Sequence, residues 1–170
     1  KKAENDEALV LLSKIGDNAN RLYQGTKDFI WAINPEHDNL FEIAIRIKDF
    51  CDETLDKTDI RFVCEGISDD FTQIKLPMGA SRHLVMLFKE ARMNTLKHAQ
   101  ATQVRLCFKI EKHQLQVIWQ DNGIGIQANK PNNGNGLANI RSRSEKIGGN
   151  AEISSKNNEG TTVKFILTFI

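Results

Sequence analysis

From Val104 to the end of the chain, the apolar residues in three runs stand on every second position. They run Val104, Leu106, Phe108 and Ile110, then Leu115, Val117 and Trp119, and finally Val163, Phe165, Leu167 and Phe169. Successive side chains of a strand point to opposite faces, so this period dictates half-buried strands with one apolar face each. The polar stretch "EKHQ" between the first two runs makes them a hairpin. Such faces have to be covered, and the upstream sequence carries the cover. Leu9, Leu12, Ile15, Ala19, Leu22, Phe29 and Ile30, from about Asn5 to Ile33, fall at helical spacing, as do Leu40, Ile43, Ile47 and Phe50 up to about Leu55. A third helix is expected from about Gly79 to His98. Ile60, Phe62 and Cys64 alternate in a short strand ahead of it, and Ala151 to Ser155 supply another. Helices first and a mainly antiparallel sheet afterwards define an α+β chain, a two-layer sandwich whose mixed sheet is covered by helices on one face.

The punctuation agrees with these elements. "NPEHDN" breaks the first helix, since Pro35 disfavours helix at Asn34, and Asn39 with Glu42 three residues on forms a capping box for the second. A loop rich in Gly and Asn runs from Asp121 to Gly136, a short helix follows from about Leu137 to Ile147, and Gly148–Gly149 stop it. At 170 residues the chain is one domain plus an appendage. Its formal charge of +1 offers no electrostatic footprint for nucleic acid or an acidic membrane. Cys51, Cys64 and Cys107 are widely spaced without a CxxC pair, which suits reduced thiols and not a zinc site. No apolar run is long enough to span a bilayer. Because the sequence begins at Lys1 instead of Met, it is expected to be a piece of something longer.

Within the third helix, Glu90, Asn94 and Lys97 fall inside an arc of about 60° at about 100° per residue, between Met86 and Met93 on one side and Leu87 and Ala91 on the other. An acid and an amide between apolar walls cost about 1–3 kcal/mol for each unpaired group. Either they satisfy one another, as in a Glu90–Lys97 ion pair, or they bind a ligand. Downstream, Asp121 ends a buried strand and is followed by Gly123 and Gly125, which permit close backbone approach. Gly134 and Gly136 form a second glycine pair just before a helix, where backbone N–H groups and the helix dipole favour an anion such as phosphate. Gly160, Thr161 and Thr162 stand at the mouth of the last core strand.

The order E-x-x-x-N-x-x-K-H, D-x-G-x-G, G-x-G-L and G-T-T resembles the N box, the two glycine boxes and the closing threonine motif of the Bergerat-fold (GHKL) ATPases. That superfamily is shared by sensor histidine kinases, gyrase, mismatch-repair and heat-shock chaperone proteins. "KDFIWAINPEHDNL" and "LFKEARMNTLKHAQAT" look most like two-component sensor histidine kinases with a Glu-type N box and a short ATP lid, and the likeness covers roughly residues 20 to 170. The resemblance implies ATP and Mg2+ as cofactors. Asn94 is expected to ligate the metal, and Glu90 to hold a metal-bound water or act as a base. Lys97 is expected to neutralise phosphate, with His98 packed near the nucleotide. Asp121 is expected to accept from the adenine amine, with Thr162 helping through a water. Gly123 and Gly125 would pass close to the base, and Gly134 and Gly136 would hinge the lid. Leu137 and Thr161 complete the implied ATP set, while Arg141 is a weaker candidate for phosphate contact and, as a lone surface arginine, reads rather as solvated.

The resemblance further implies that residues 1–36 are the C-terminal helix of a dimerisation hairpin plus linker, and 37–170 the ATP-binding catalytic domain. The implied partners are a response regulator and a histidine-bearing helix upstream or in a second protomer, in a full-length homodimer located in the cytoplasm or on the cytosolic side of a membrane receptor. No nucleic-acid or direct membrane contact is expected of this stretch. The histidines are His37, His83, His98 and His113, and none lies in an arginine-rich helical box; His37-Asp38 imitates one but follows Pro35 in a break between helices. The phosphoacceptor is therefore expected outside this stretch, which should bind ATP without phosphorylating itself. The rival readings are a Bergerat-type hydrolase and a nucleotide-sensing or dimerisation module without transfer chemistry.

Overall fold

The computed structural model describes residues 2–34, 39–126 and 135–168. Pro35, His37, Asp38, Gly134 and Phe169, on which sequence expectations rest, lie outside the described residues.

Helix α1 spans Lys2–Ile33 and α2 spans Leu40–Leu55. Asn39 caps α2, its side-chain oxygen accepting from the Glu42 backbone N–H at 2.9 Å. Strand β1 (Arg61–Glu65) leads into a 3-10 turn, Asp69–Gln73, that no periodic signal announces; its Phe71 is buried edge-on to Phe108. Helix α3 is Ala80–Asn94. It does not continue as α-helix to His98, because Thr95–Ala99 form a wider π turn that ends at Gln100 in the left-handed region, φ 51°. β2 (Gln103–Glu111) and β3 (Gln114–Asp121) pair as the expected hairpin. Lys112 and His113, with φ of 47° and 64°, make its two-residue turn, the sign that matches the twist of paired strands. α4 is Gly136–Glu145, and β4 (Asn150–Lys156) and β5 (Gly160–Thr168) close the chain.

The sheet runs β1-β2-β3-β5-β4. Among the described residues only β1 and β2 pair in parallel, and the 3-10 turn and α3 between them supply the crossover that parallel neighbours require. The other pairs are antiparallel, so the sheet is mixed as expected. One face carries Val104, Leu106, Phe108, Leu115, Val117, Trp119, Val163 and Phe165, all buried beneath Ile43 and Ile47 of α2, Leu84, Leu87 and Phe88 of α3 and Ile140 of α4. Each fully buried side chain of this kind contributes about 1.5–3 kcal/mol. The other face carries exposed Arg105, Lys109, Gln120 and Glu152.

On α1, Leu9, Leu12, Ile15, Leu22 and Ile30 are all exposed. The helix meets the rest of the fold at its end, where Trp31 packs against the core with the Arg46 guanidinium 5.5 Å from its ring centre. Among the described residues no helix is long and apolar enough to cross a membrane. The three cysteines are free. Burial pushes the Cys64 thiol up to about 11 and the Cys51 thiol higher, so neither is a ready nucleophile.

Candidate functional site

The inward positions of β3 are Leu115, Val117, Trp119 and Asp121, so strand alternation that buries three apolar side chains also buries a carboxylate. Asp121 is 4% exposed. A charge there has to be met by donors, and three are present. The backbone N–H of Gly123 and of Thr161 donate to Oδ1 at 3.0 and 3.2 Å, and the Thr95 hydroxyl donates to Oδ2 at 3.2 Å. Thr95, itself buried, accepts from the indole N–H of Trp119 at 3.1 Å.

The turn after Asp121 is clamped on both sides. Asn122 accepts from the backbone N–H of Thr102 and Gln103, each at 2.9 Å, and donates to the Thr102 hydroxyl at 2.9 Å. Gly123 is needed for packing: a Cβ there would land on the Ala99 carbonyl, which the Ile124 N–H reaches at 2.8 Å. It does not line the cavity described below. Gly125 combines φ +74° with a close approach to the Lys156 carbonyl, and the Ile126 N–H donates to the Ser155 hydroxyl at 2.7 Å.

The strand-mouth threonines separate by parity. Thr161 pairs with Asp121 and lines the cavity, whereas Thr162 pairs with Gln120 on the opposite face of the sheet. Thr161, and not Thr162, therefore shares the face of Asp121, because successive strand residues point to opposite faces.

A cavity of about 710 Å³ extends from Asp121 to the end of α3. Glu90, Asn94, Lys97 and His98 line it together with Trp119, Gly125, Gly136, Leu137 and Thr161. The π turn keeps Lys97 and His98, both exposed, on the cavity rim past the end of α3. Among the described residues Glu90 and Lys97 form no ion pair with each other. The start of α4 presses on the same pair: a Cβ on Gly136 would meet Glu90 Oε1 and would stand 3.3 Å from Asn94 Oδ1. Arg141 is exposed and does not line the cavity.

Among the described residues no group of three or more His, Cys, Asp or Glu could hold a metal. A carboxylate and a carboxamide oxygen on one wall nevertheless suit a hard cation that takes its remaining ligands from phosphate and water. The sequence reading did not single out Thr95, Asn122 or Ser155 at all, and Trp119 only as a core residue. Their roles arise from contacts across 24, 20 and 29 positions and carry no periodic signature.

This geometry coincides with independent likenesses. Residues 79–169, just over half the chain, match the family described as histidine kinase-, DNA gyrase B-, and HSP90-like ATPase. The chain is 36% identical over 97 residues to the sensor protein VraS of Staphylococcus saprophyticus, covering 56% of this chain and 28% of that one. It is 31% identical over 96 residues to the nitrate/nitrite sensor protein NarX of Escherichia coli K12, covering 56% and 16% respectively. It thus spans well under a third of these relatives. In fold it resembles the Acinetobacter baumannii histidine kinase AdeS, with TM-score 0.65, 14% identity, and 94% and 84% of the two chains covered. The histidine kinase domain of the Erythrobacter litoralis EL346 blue-light activated histidine kinase gives TM-score 0.62, 22% identity, and 76% and 61% coverage. The buried carboxylate and the acid–amide wall that face one cavity lie within the stretch that matches, and the chain belongs to the histidine kinase-, DNA gyrase B- and HSP90-like ATPase family.

Proposed function

We propose that this chain is the ATP-binding catalytic portion of a sensor histidine kinase, moving the γ-phosphoryl group of ATP to a histidine outside residues 1–170 for relay to a response regulator. The observation that carries the reading is the single cavity joining Asp121 to Glu90 and Asn94. Asp121 takes the adenine amine, Thr161 stands beside it, and Gly125 and Leu137 wall the base. Asn94 ligates Mg2+ through its side-chain oxygen, and Lys97, His98 and the N–H groups at the start of α4 face the phosphates. Mg2+ supplies charge neutralisation along the triphosphate. Glu90 takes the N–H proton from one imidazole nitrogen as the lone pair of the other bonds to the γ-phosphorus, and ADP departs with the electrons of the broken P–O bond.

Residues 1–36 then serve as the hairpin helix and linker, with 37–170 as the catalytic domain. The exposed apolar side chains of α1 pack against a second copy in a homodimer, on the cytoplasmic side. The test uses the full-length protein incubated with γ-labelled ATP. Acid-labile label on a histidine is expected, and Glu90→Gln should slow its appearance by about 100-fold or more while ATP binding persists. Phosphate released at the same rate without any histidine acceptor would replace the kinase reading with that of a hydrolase.

A further inference from the structure

Asp121 offers about four acceptor sites, two on each oxygen. Oδ1 already receives two backbone N–H groups, from Gly123 and Thr161. Oδ2 receives one donor, the Thr95 hydroxyl, and so keeps one site for a ligand in the cavity. Thr95 has a single hydroxyl hydrogen and a second acceptor within reach, the Ala91 carbonyl one turn back at 3.3 Å. The carboxylate is the stronger attraction because it is charged. Trp119 is 1% exposed and its indole N–H can only donate, so Thr95 is where that proton is satisfied. Trp119, Thr95 and Asp121 thereby form a directed chain, each link donating toward the cavity.

We infer that Thr95 and Trp119 are positioning residues that fix the free acceptor of Asp121, and so set the discrimination between a 6-amino purine and a 6-oxo purine. This rests on the reading that Asp121 receives the base amine. An amino group completes the carboxylate's set of donors, whereas an oxo group presents lone pairs to it. Sites built around a particular hydrogen bond reject analogues that cannot make it. Thr95 and the indole nitrogen act through Asp121; Thr95 itself lies outside the cavity lining.

The test titrates the 170-residue chain with ATP and with ITP in the presence of Mg2+. Thr95→Val keeps the shape and removes the hydroxyl. ATP affinity should fall about tenfold, ITP affinity should stay within about twofold, and the ATP-to-ITP ratio should collapse accordingly. Thr95→Ser should restore the ratio. A residue that only supports the fold would lower both affinities alike, so an unchanged ratio in Thr95→Val overturns the inference. Asp121→Asn is the companion variant: a wild-type ratio there overturns the underlying assignment of the amine site, and a lost ratio there with an intact one in Thr95→Val overturns the positioning role alone. Should Thr95→Val melt below the assay temperature, Thr95→Ala is titrated with the same two outcomes.

Discussion

Gly136→Ala should stabilise the fold and weaken the site at once. Gly136 opens α4 with no left-handed backbone requirement, so the substitution costs no backbone strain and narrows the unfolded ensemble. Such changes are worth about 0.4–1 kcal/mol. For a chain of this length each kcal/mol moves the melting temperature by about 2–4 °C, so a rise of roughly 1–4 °C is expected. The new methyl would meet Glu90 Oε1 and stand 3.3 and 3.4 Å from the two end atoms of the Asn94 carboxamide. All three are ends of side chains, so Glu90 swings aside and the helices stay where they are. The narrowed gap and the crowded Asn94 carboxamide cost the bound metal–phosphate group at least one charge-assisted contact, about 1.5–3 kcal/mol. That corresponds to roughly tenfold to a hundredfold in Mg2+-ATP affinity. A thermal melt and a titration on the same preparation read both quantities. Affinity within twofold of wild type, alongside the raised melting temperature, would refute the claim that the space between Gly136 and the Glu90–Asn94 pair is where the metal and phosphates sit.

Gly160→Ala should do the opposite to stability: φ is +87° and the added Cβ would land on the Asp121 backbone carbonyl, which has no rotamer to yield, so the melting temperature falls and ATP affinity falls with it. The strain alone is about 1–3 kcal/mol, and a melt within 1 °C of wild type would contradict it. His83 should confer a pH dependence. Burial first, then Arg143, Lys146 and Arg82, hold its pKa below the usual 6.5, and its Nδ1 is buried without a partner. Its neutral form is the one the fold accepts, so stability is complete above about pH 6.5 and declines as pH falls through that value toward the lowered folded pKa. Denaturant titrations of His83→Gln between pH 7 and 5 should show a shallower decline than wild type.

The hydrophobic period alone located both layers of the fold. Val104 to Ile110 and Leu115 to Trp119 alternate because one face is dry, and the hairpin between them follows from "EKHQ". The Asn39 cap was readable for the same local reason. What stayed hidden depends on contacts distant in sequence. The π turn at Thr95–Ala99 looks like ordinary helix in any pattern of spacings, and the approach of Gly123 and Ile124 to Ala99 joins residues more than twenty positions apart. Thr162 and Thr161 are adjacent in sequence, and only the register Asp121↔Thr161 decides which faces the cavity. Thr95 is one polar residue in a helix until Trp119 and Asp121 are seen on either side of it.

The central claim is that the buried carboxylate and the acid–amide wall hold opposite ends of one Mg2+-ATP. Titration of the chain with a fluorescent ATP analogue, with and without Mg2+, tests it through two variants. Asp121→Asn should weaken binding whether or not the metal is present, while Asn94→Ala should abolish only the part of binding that Mg2+ adds. Two variants that both bind like wild type in either condition would contradict the account.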